Sequence, residues 1–452
     1  MSTIHRRQLL QALGIGAGAF LLPSALSPKK AYAAAPSRSY VFCYFRGAWD
    51  ILLSLDPRDP SVFTEARKAE TKIELAWDQI PANYPRTIIQ PAGSNIPLGP
   101  VMGGIAPHYE KMCVVNGISM DTVAHEVGRR YFITGLPPRG TTAAGSAVPS
   151  RIAAQQGDLL PFPNLVMGAE TYNDTGSAFA SGLTVNSVAD LITALTDGPG
   201  APRGNVRTRL DEHRALHPLC DPSHADRRGL LSLFQGSQLK ARELVSSGLS
   251  SKFQFLSETD SEMMDLATRY GVSTQGGGLS SIQAQAAMAF QSLKYELAQC
   301  VTVELARNLD THDATWADEH PDQLSAAFDA LGQLVSDLET TPDPSRGGTL
   351  LDHTTIVCYS EFSRGGLLNS RGGRDHSLTG SALLLGAGVP GNKVVGRSSD
   401  VGLGPQPINP ATGLVQDGGT FITPTLVIAS LMQQAGYDTT KLRAEGLPCL
   451  MA

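Results

Sequence analysis

Four short stretches of the chain consist almost entirely of apolar residues, and none alternates regularly between apolar and polar positions. They cover residues 39–45, 111–117, 354–359 and 381–386. Their length and their content of β-branched and aromatic residues predict strands rather than helices. Strands without alternation are covered on both faces, as in a parallel sheet that lies between layers of helices.

Between these runs the apolar residues recur at helical spacing. The longest such stretch is 281–308, rich in Ala, Gln and Leu, and shorter ones lie at 126–134 and at 421–436, where Thr423 marks a helix start. The pattern is clearest in 323–338, whose apolar positions are Leu324, Phe328, Leu331, Leu334, Val335 and Leu338. Strands that alternate with helices predict an α/β fold, a mainly parallel sheet sandwiched by helices.

Two regions depart from this alternation. Residues 156–280 form an expected inserted subdomain or cap within a domain that we expect to span 36–452. Residues 388–420 are rich in Gly and Pro and carry few apolar runs, which is typical of a long surface excursion.

The first 35 residues contain no Asp or Glu and have the layout of an export signal. The pair Arg6-Arg7 precedes an apolar run that ends near Leu26, and small residues follow at Ala31 and Ala33. This layout predicts a twin-arginine signal, the Tat export machinery as a partner, and a periplasmic or secreted bacterial protein. The alternative is a membrane anchor, although the run is barely long enough to cross a bilayer. No later stretch is apolar enough to span one, so we expect no stable membrane span after cleavage.

The charge balance excludes one class of partner. The whole chain has a formal net charge of −6 at pH 7, and its N-terminal segment contributes only basic residues. Because nucleic-acid binding needs a basic surface, we expect no nucleic-acid partner.

The six cysteines permit disulfides without defining a framework. Three of them lie inside apolar runs and are expected to be buried thiols: Cys43, Cys113 and Cys358. The others are candidates for a bridge whose pairing stays open: Cys220, Cys300 and Cys449.

Acids and imidazoles, the usual ligands of divalent metals, concentrate in three short segments. The first is Asp310-Thr-His312, expected just after the long helix, where a spacing of two residues allows both side chains to bind one ion. The second follows the strand 354–359 and contains Glu361 and Arg364. Strand ends carry the chemistry of open α/β sheets, although a simple Glu–Arg ion pair at the strand end would explain this segment equally well.

The third segment is Asp375-His376, which follows a glycine-rich stretch. Adjacent side chains do not readily reach the same ion, so we expect one of the two to bind the metal while the other orients a ligand. Asp50 ends the segment after the first strand and is a further candidate ligand, or else a helix N-cap. His125 opens a predicted helix, where the backbone N–H groups favour negative charge.

Five short motifs of the chain, taken together, resemble those of a large family of exported bacterial proteins. They are Arg46-Gly-x-x-Asp50, His125-Glu126, Asp310-Thr-His312, Ser360-Glu-Phe-x-Arg364 and Gly373-x-Asp375-His376. That family is known as domain of unknown function 1501. It is similar in turn to the alkaline phosphatase-like superfamily, which includes sulfatases and phosphatases. The resemblance implies a two-metal site of zinc, manganese or calcium and a hydroxyl nucleophile at a helix N-terminus. It also implies that the metal ligands include Asp50, Asp310, His312, Glu361 and His376.

The chain departs from the superfamily at two of these positions. Glu361-Phe362 stands where an Asp-His pair is usual, and Ala124 stands where family relatives carry Ser before the histidine. His125, as a ligand or a nucleophile, or a metal-bound hydroxide would have to replace that hydroxyl, with Arg364 holding the anion. The resulting expectation is an exported metal-dependent hydrolase for a phosphate or sulfate ester. The alternative is a non-catalytic protein of the same fold that binds a glycan, an anion or a surface partner.

Overall fold

A computed structural model describes residues 38–198, 200–202, 204–216 and 230–452. The strands are β1 (Ser39–Phe45), β2 (Met112–Ser119), β3 (Asn164–Met167), β4 (Leu183–Val185), β5 (Cys300–Ala306), β6 (Thr354–Tyr359), β7 (Ser363–Leu368), β8 (Arg374–Ser377), β9 (Thr379–Gly386), β10 (Lys393–Val395), β11 (Pro407–Ile408) and β12 (Thr420–Phe421). The α-helices are α1 (Lys68–Thr71), α2 (His125–Thr134), α3 (Val148–Gln156), α4 (Val188–Ala194), α5 (Gly204–Leu216), α6 (Leu230–Ser246), α7 (Ser261–Tyr270), α8 (Ile282–Lys294), α9 (Thr315–Thr340) and α10 (Pro424–Gln434).

The main sheet has eight strands in the order β10-β2-β9-β6-β1-β5-β3-β4. Every neighbouring pair is parallel except those that involve β9, which runs antiparallel to both β2 and β6. The expected α/β fold with a mainly parallel sheet is therefore confirmed. In β1, Phe45 faces one hydrophobic core and Tyr44 faces a second, because successive side chains of a strand point to opposite faces.

The prediction of one long helix over 281–308 was wrong for the second half of that range. Helix α8 ends at Lys294, and the chain continues into the fully buried strand β5 from Cys300 to Ala306. Its sequence Cys-Val-Thr-Val is rich in β-branched residues, and it pairs with β1 on one side and β3 on the other. Tertiary pairing overrides the helical propensity of the preceding residues. Asp310 and His312 therefore follow a central strand and not a helix.

The other helices largely follow their patterns. Helix α9 is longer than predicted and includes Pro321 near its beginning. Helix α10 starts as predicted, since the side chain of Thr423 caps it by accepting a hydrogen bond from the N–H of Leu426. In the region 156–280, strands β3 and β4 belong to the main sheet, so this part of the expected insertion is built into the α/β core.

The described cysteines are buried and free: Cys43, Cys113, Cys300, Cys358 and Cys449. The bridge predicted for Cys300 or Cys449 is absent among the residues that the structure describes. Cys220 and the predicted export signal lie outside the described residues. No helix in the described part of the chain is both long and apolar enough to cross a membrane.

Candidate metal centre

Three adjacent parallel strands end at the same edge of the sheet. Strands β1, β5 and β6 lie side by side in the centre of the sheet. The segment after each strand carries predicted functional residues. Asp50 follows β1, Asp310 and His312 follow β5, and Glu361 and Arg364 follow β6. The carboxyl ends of neighbouring parallel strands form the usual position of a site in an open α/β sheet.

Two glycines bring further segments close to this edge. A Cβ atom added to Gly128 of helix α2 would lie 2.2 Å from the carbonyl oxygen of Glu361. A Cβ atom added to Gly373 would lie 2.3 Å from the carbonyl carbon of His312. Only glycine permits such close backbone approach. The first contact brings His125, at the start of α2, over the end of β6, and the second holds the β7–β8 hairpin against the loop after β5.

Three imidazoles converge on one carboxylate oxygen. Asp310 Oδ1 lies 3.3 Å from His125 Nε2, 3.0 Å from His312 Nε2 and 3.2 Å from His376 Nε2. His376 Nε2 is in addition 3.1 Å from His125 Nε2 and 2.9 Å from His312 Nε2. The four side chains thus form two triangles of donor atoms that share the edge between Asp310 and His376. We call these four residues the candidate metal centre, or the centre for short.

The second ring nitrogen of each histidine faces an acceptor. His125 Nδ1 lies 2.6 Å from Glu361 Oε1, and His312 Nδ1 lies 3.1 Å from Asp375 Oδ1. His376 Nδ1 lies 2.8 Å from the carbonyl oxygen of Val123. Because carboxylates and carbonyls only accept, each Nδ1 carries the proton in the neutral ring. Each Nε2 then presents a lone pair to the centre, which is the arrangement typical of metal-binding histidines.

This donor set fits a divalent ion. Three lone pairs and a carboxylate oxygen that lie about 3 Å apart repel one another unless a cation or protons lie between them. Ligand atoms at about 2.0–2.1 Å from a tetrahedral zinc ion are about 3.3 Å apart. The edges of the triangle formed by His125, Asp310 and His376 measure 3.1, 3.3 and 3.2 Å. These three residues therefore have the spacing of ligands to a single ion.

The surrounding charges keep the carboxylates of the site ionised. Burial by itself would raise the pKa of Asp310, but the hydrogen bond and charge of Arg364 outweigh it and hold the pKa far below its usual value. Burial also raises the pKa of Glu361, but the hydrogen bond and charge of His125 together with backbone hydrogen bonds, including that from Gly47, lower the pKa overall. For His125, burial lowers the pKa, but the hydrogen bond and charge of Glu361 and the charge of Asp310 raise it overall.

Arg364 is fully buried and holds the centre in place. Its Nη2 donates to Asp310 Oδ1 at 2.5 Å and to the carbonyl of Gly47, and its Nη1 lies 3.2 Å from His312 Nε2. Nη1 also donates to the carbonyl of Arg374, and Nε donates to that of Ala48. Four of its five N–H groups donate to protein oxygens and the fifth points at His312 Nε2, so Arg364 positions Asp310 and directs no donor at the substrate anion that the sequence assigns to it.

Asp50 does not join the centre. Its Oδ1 accepts a hydrogen bond from the N–H of Leu52 at 2.9 Å. Its Oδ2 lies 3.0 Å from the indole nitrogen of Trp316 and 2.8 Å from Nε of the buried Arg374. A buried carboxylate needs such partners, and these contacts turn it away from the ligand atoms. The expected metal pair therefore has no first-strand ligand at Asp50.

Two other expected ligands support the centre from outside. Glu361 holds His125, and Asp375 holds His312, so neither is among the four converging donors. Sequence reasoning missed His320, which is buried on α9. Its Nε2 accepts the N–H of Asp50 at 3.0 Å, and its Nδ1 lies 2.9 Å from Thr311 Oγ1. Its position on the buried face of the predicted helix was the available signal.

Comparisons with known proteins identify the family. The family described as "Protein of unknown function (DUF1501)" matches residues 37–411, and the chain belongs to it. Among solved structures, Ps i-CgsB in complex with k-i-k-neocarrahexaose matches with a TM-score of 0.37 and 8% identity, covering 91% of this chain and 75% of that one. Ps i-CgsB alone matches with a TM-score of 0.38 and 9% identity over the same shares. No curated protein matches the chain.

Proposed function

We propose that this member of the DUF1501 family is an exported metallohydrolase that acts on a small phosphate or sulfate ester. The carrying observation is the convergence of three Nε2 lone pairs on Asp310 Oδ1, with each Nδ1 held by an acceptor. Imidazoles with a carboxylate favour zinc, or manganese as the second choice, over calcium, which prefers oxygen ligands. The alkaline phosphatase-like resemblance of the motifs supports the same reaction class.

The centre is open to solvent on the side of its ligand atoms. The side chain of Asp310 is 49% exposed, and those of the three histidines are between 22% and 28% exposed. A divalent ion bound there supplies a Lewis acid for an ester oxygen and for water. The start of α2 lies beside it and offers backbone N–H groups to an anion, since Ala124 is the N-cap of that helix.

The attacking group in this proposal is water. Ala124 is exposed and carries no hydroxyl, Thr122 Oγ1 accepts a hydrogen bond from the N–H of Ala124, and Ser119 Oγ bonds Asp121. Hydrolysis adds the hydroxyl of water to phosphorus or sulfur and returns a proton to the leaving alcohol. Glu361 keeps the His125 ring in one orientation throughout this step.

The test is metal content and turnover of the purified protein. We expect the wild type, loaded with zinc or manganese, to hydrolyse members of a panel of aryl phosphates and sulfates. His376→Ala removes the residue shared by both donor triangles and should abolish bound metal and turnover together. His353→Ala, which removes a histidine whose ring bonds the carbonyl of Gly347, should change neither. Metal-replete wild type without turnover on any ester would contradict the proposal.

A second candidate, a non-catalytic binding protein of the same fold, is favoured by Ala124 at the helix start. Arg364 also bridges Asp310 and His312, so the cluster can persist as a salt-bridge network without a metal. The variant Ala124→Ser separates the two functions. Turnover that appears only in Ala124→Ser, and disappears when His376→Ala is added, would identify a metal centre that lacks its nucleophile and would support the binding role of the wild type.

A further inference from the structure

A second charged group lies at the end of β5, beside the candidate metal centre. The carboxylate of Glu304 is buried, and it forms ion pairs with two arginines. Its Oε1 lies 2.8 Å from Arg46 Nε, and its Oε2 lies 2.8 Å from Arg307 Nε. Two positive charges therefore share one negative charge, and the group has an excess positive charge. We call Arg46 and Arg307 the arginine pair.

The outer ends of both guanidinium groups face solvent. The side chains of Arg46 and Arg307 are 46% and 35% exposed. Across the described residues, Glu304 is the only ion-pair partner of either arginine, and their terminal Nη atoms form no hydrogen bond there. A guanidinium held by an ion pair on its Nε side, with its Nη atoms open, can bind an oxyanion through two parallel hydrogen bonds.

A nearby pair of arginines shows the contrast. Arg129 and Arg130 both contact Glu170, and Arg130 also donates to the hydroxyl of Tyr172 and to the carbonyl of Thr141. Their donors hold the structure together. Within the described part of the chain, the side-chain donors of Arg46 and Arg307 contact Glu304 and no other protein group.

The backbone connects the arginine pair directly to the centre. The N–H of Leu309, next to Asp310, donates to the carbonyl of Arg46 at 3.2 Å. The N–H of Gly47 donates to Glu361 Oε1 at 2.9 Å, and Glu361 holds His125. The backbone at Arg46 and Gly47 is thus hydrogen-bonded to the residue before Asp310 and to Glu361, which supports the centre. Arg46 directly follows β1 and Arg307 directly follows β5, so both begin at the sheet edge where Asp310 lies.

We infer that the arginine pair binds a second anionic group of the substrate, so that the substrate is an ester that carries at least two oxyanions. This inference rests on the proposed function, because it names the class of substrate for the same site. The second oxyanion is a phosphate or a sulfate, since a guanidinium group binds either one. Because hydrogen bonds to charged groups are strong, a ligand with the second oxyanion should bind at least about tenfold more tightly than the same ligand without it.

The test compares ligands that differ by one anionic group. Binding of glucose 1,6-bisphosphate and glucose 6-phosphate, and of glucose 3,6-disulfate and glucose 6-sulfate, is measured by calorimetry on the zinc-loaded full chain. We expect the doubly charged member of at least one pair to bind at least about tenfold more tightly than its partner. The pair that shows the preference identifies phosphate or sulfate. Arg46→Gln with Arg307→Gln should remove the preference while affinity for the singly charged ligand stays the same.

The controls keep the test decisive. Arg67→Gln removes an equally exposed arginine, paired with Glu70, and should keep the preference. If the double variant does not fold, Arg46→Gln alone leaves Glu304 paired with Arg307 and should reduce the preference by a smaller factor. A preference that Arg46→Gln with Arg307→Gln, or Arg46→Gln alone, retains at the full wild-type factor overturns the inference, and so does a wild type without a preference. Since the assay needs no turnover, a preference without hydrolysis would contradict only the proposed reaction, and hydrolysis without a preference would contradict only this inference.

Discussion

At the scale of single residues, Asp50 shows that a carboxylate at a strand end can serve the fold instead of the chemistry. It is fully buried and neutralises Arg374, whose guanidinium also donates to the carbonyls of Gly366 and Glu74. Arg374 begins the β7–β8 hairpin strand that carries Asp375 and His376. The pair therefore fastens the loop after β1 to the hairpin.

We predict that Asp50→Ala lowers the free energy of unfolding by about 3–5 kcal/mol, because it leaves Arg374 buried without its partner. Urea unfolding measures this change. The folded fraction should still bind zinc with the wild-type stoichiometry, since the four converging donors are intact. A variant of unchanged stability that had lost its metal would show that Asp50 is a ligand after all.

From the sequence, Asp310, His312 and His376 could be predicted as candidate metal ligands. The supporting role of Glu361 could not, because a ligand and the group that orients it are the same residue types. For Asp375-His376 the sequence predicts one ligand and one orienting residue without saying which is which. The acceptor for His376 is the backbone carbonyl of Val123, which any residue at that position would supply. Sequence patterns carry no information about such backbone partners.

At the scale of secondary-structure elements, strand β5 accounts for the largest difference between expectation and structure. Its residues continue an Ala- and Gln-rich helical pattern, and only the pairing with β1 and β3 makes them a strand. The motif of Asp310 and His312 was recognised from its residue types. Its position at a central strand end, beside β1 and β6, depends on long-range pairing that local periodicity does not encode.

The contact between helix α2 and the end of β6 leads to a prediction. Gly128→Ala places a Cβ atom 2.2 Å from the carbonyl oxygen of Glu361, and a backbone atom cannot rotate away. The helix must shift and take His125 with it. We expect a loss of about 1–3 kcal/mol in stability, despite the better helix propensity of alanine. We also expect zinc affinity to fall about 10–100-fold, as for other disturbed supports of metal ligands.

Equilibrium unfolding and competition with a zinc chelator measure the two effects of Gly128→Ala. Gly103→Ala is the matched control, because a Cβ atom there meets nothing within 4 Å. Unchanged zinc affinity in Gly128→Ala would show that the position of His125 does not depend on the close approach of α2 to Glu361.

At the scale of the whole molecule, the centre joins segments that are far apart in the chain. His125 starts α2, Asp310 and His312 follow β5, and His376 lies on β8. An ion bound to all of them would hold these segments together only in the folded state. Binding that is restricted to the folded state adds stability according to the ratio of free ligand to its dissociation constant.

We therefore predict that zinc at 100 times its dissociation constant raises the free energy of unfolding by about 2.7 kcal/mol, and that a chelator reverses this. Thermal unfolding of the full chain measures the shift as a rise in Tm. His376→Ala should lose the increment, because both donor triangles lose their shared residue. Asp50→Ala should unfold at a lower temperature with and without zinc and keep the increment. If zinc raised the Tm of the wild type and of His376→Ala equally, the stabilising ion would bind elsewhere. The donor atoms around Asp310 would then be held together by Arg364 and protons alone.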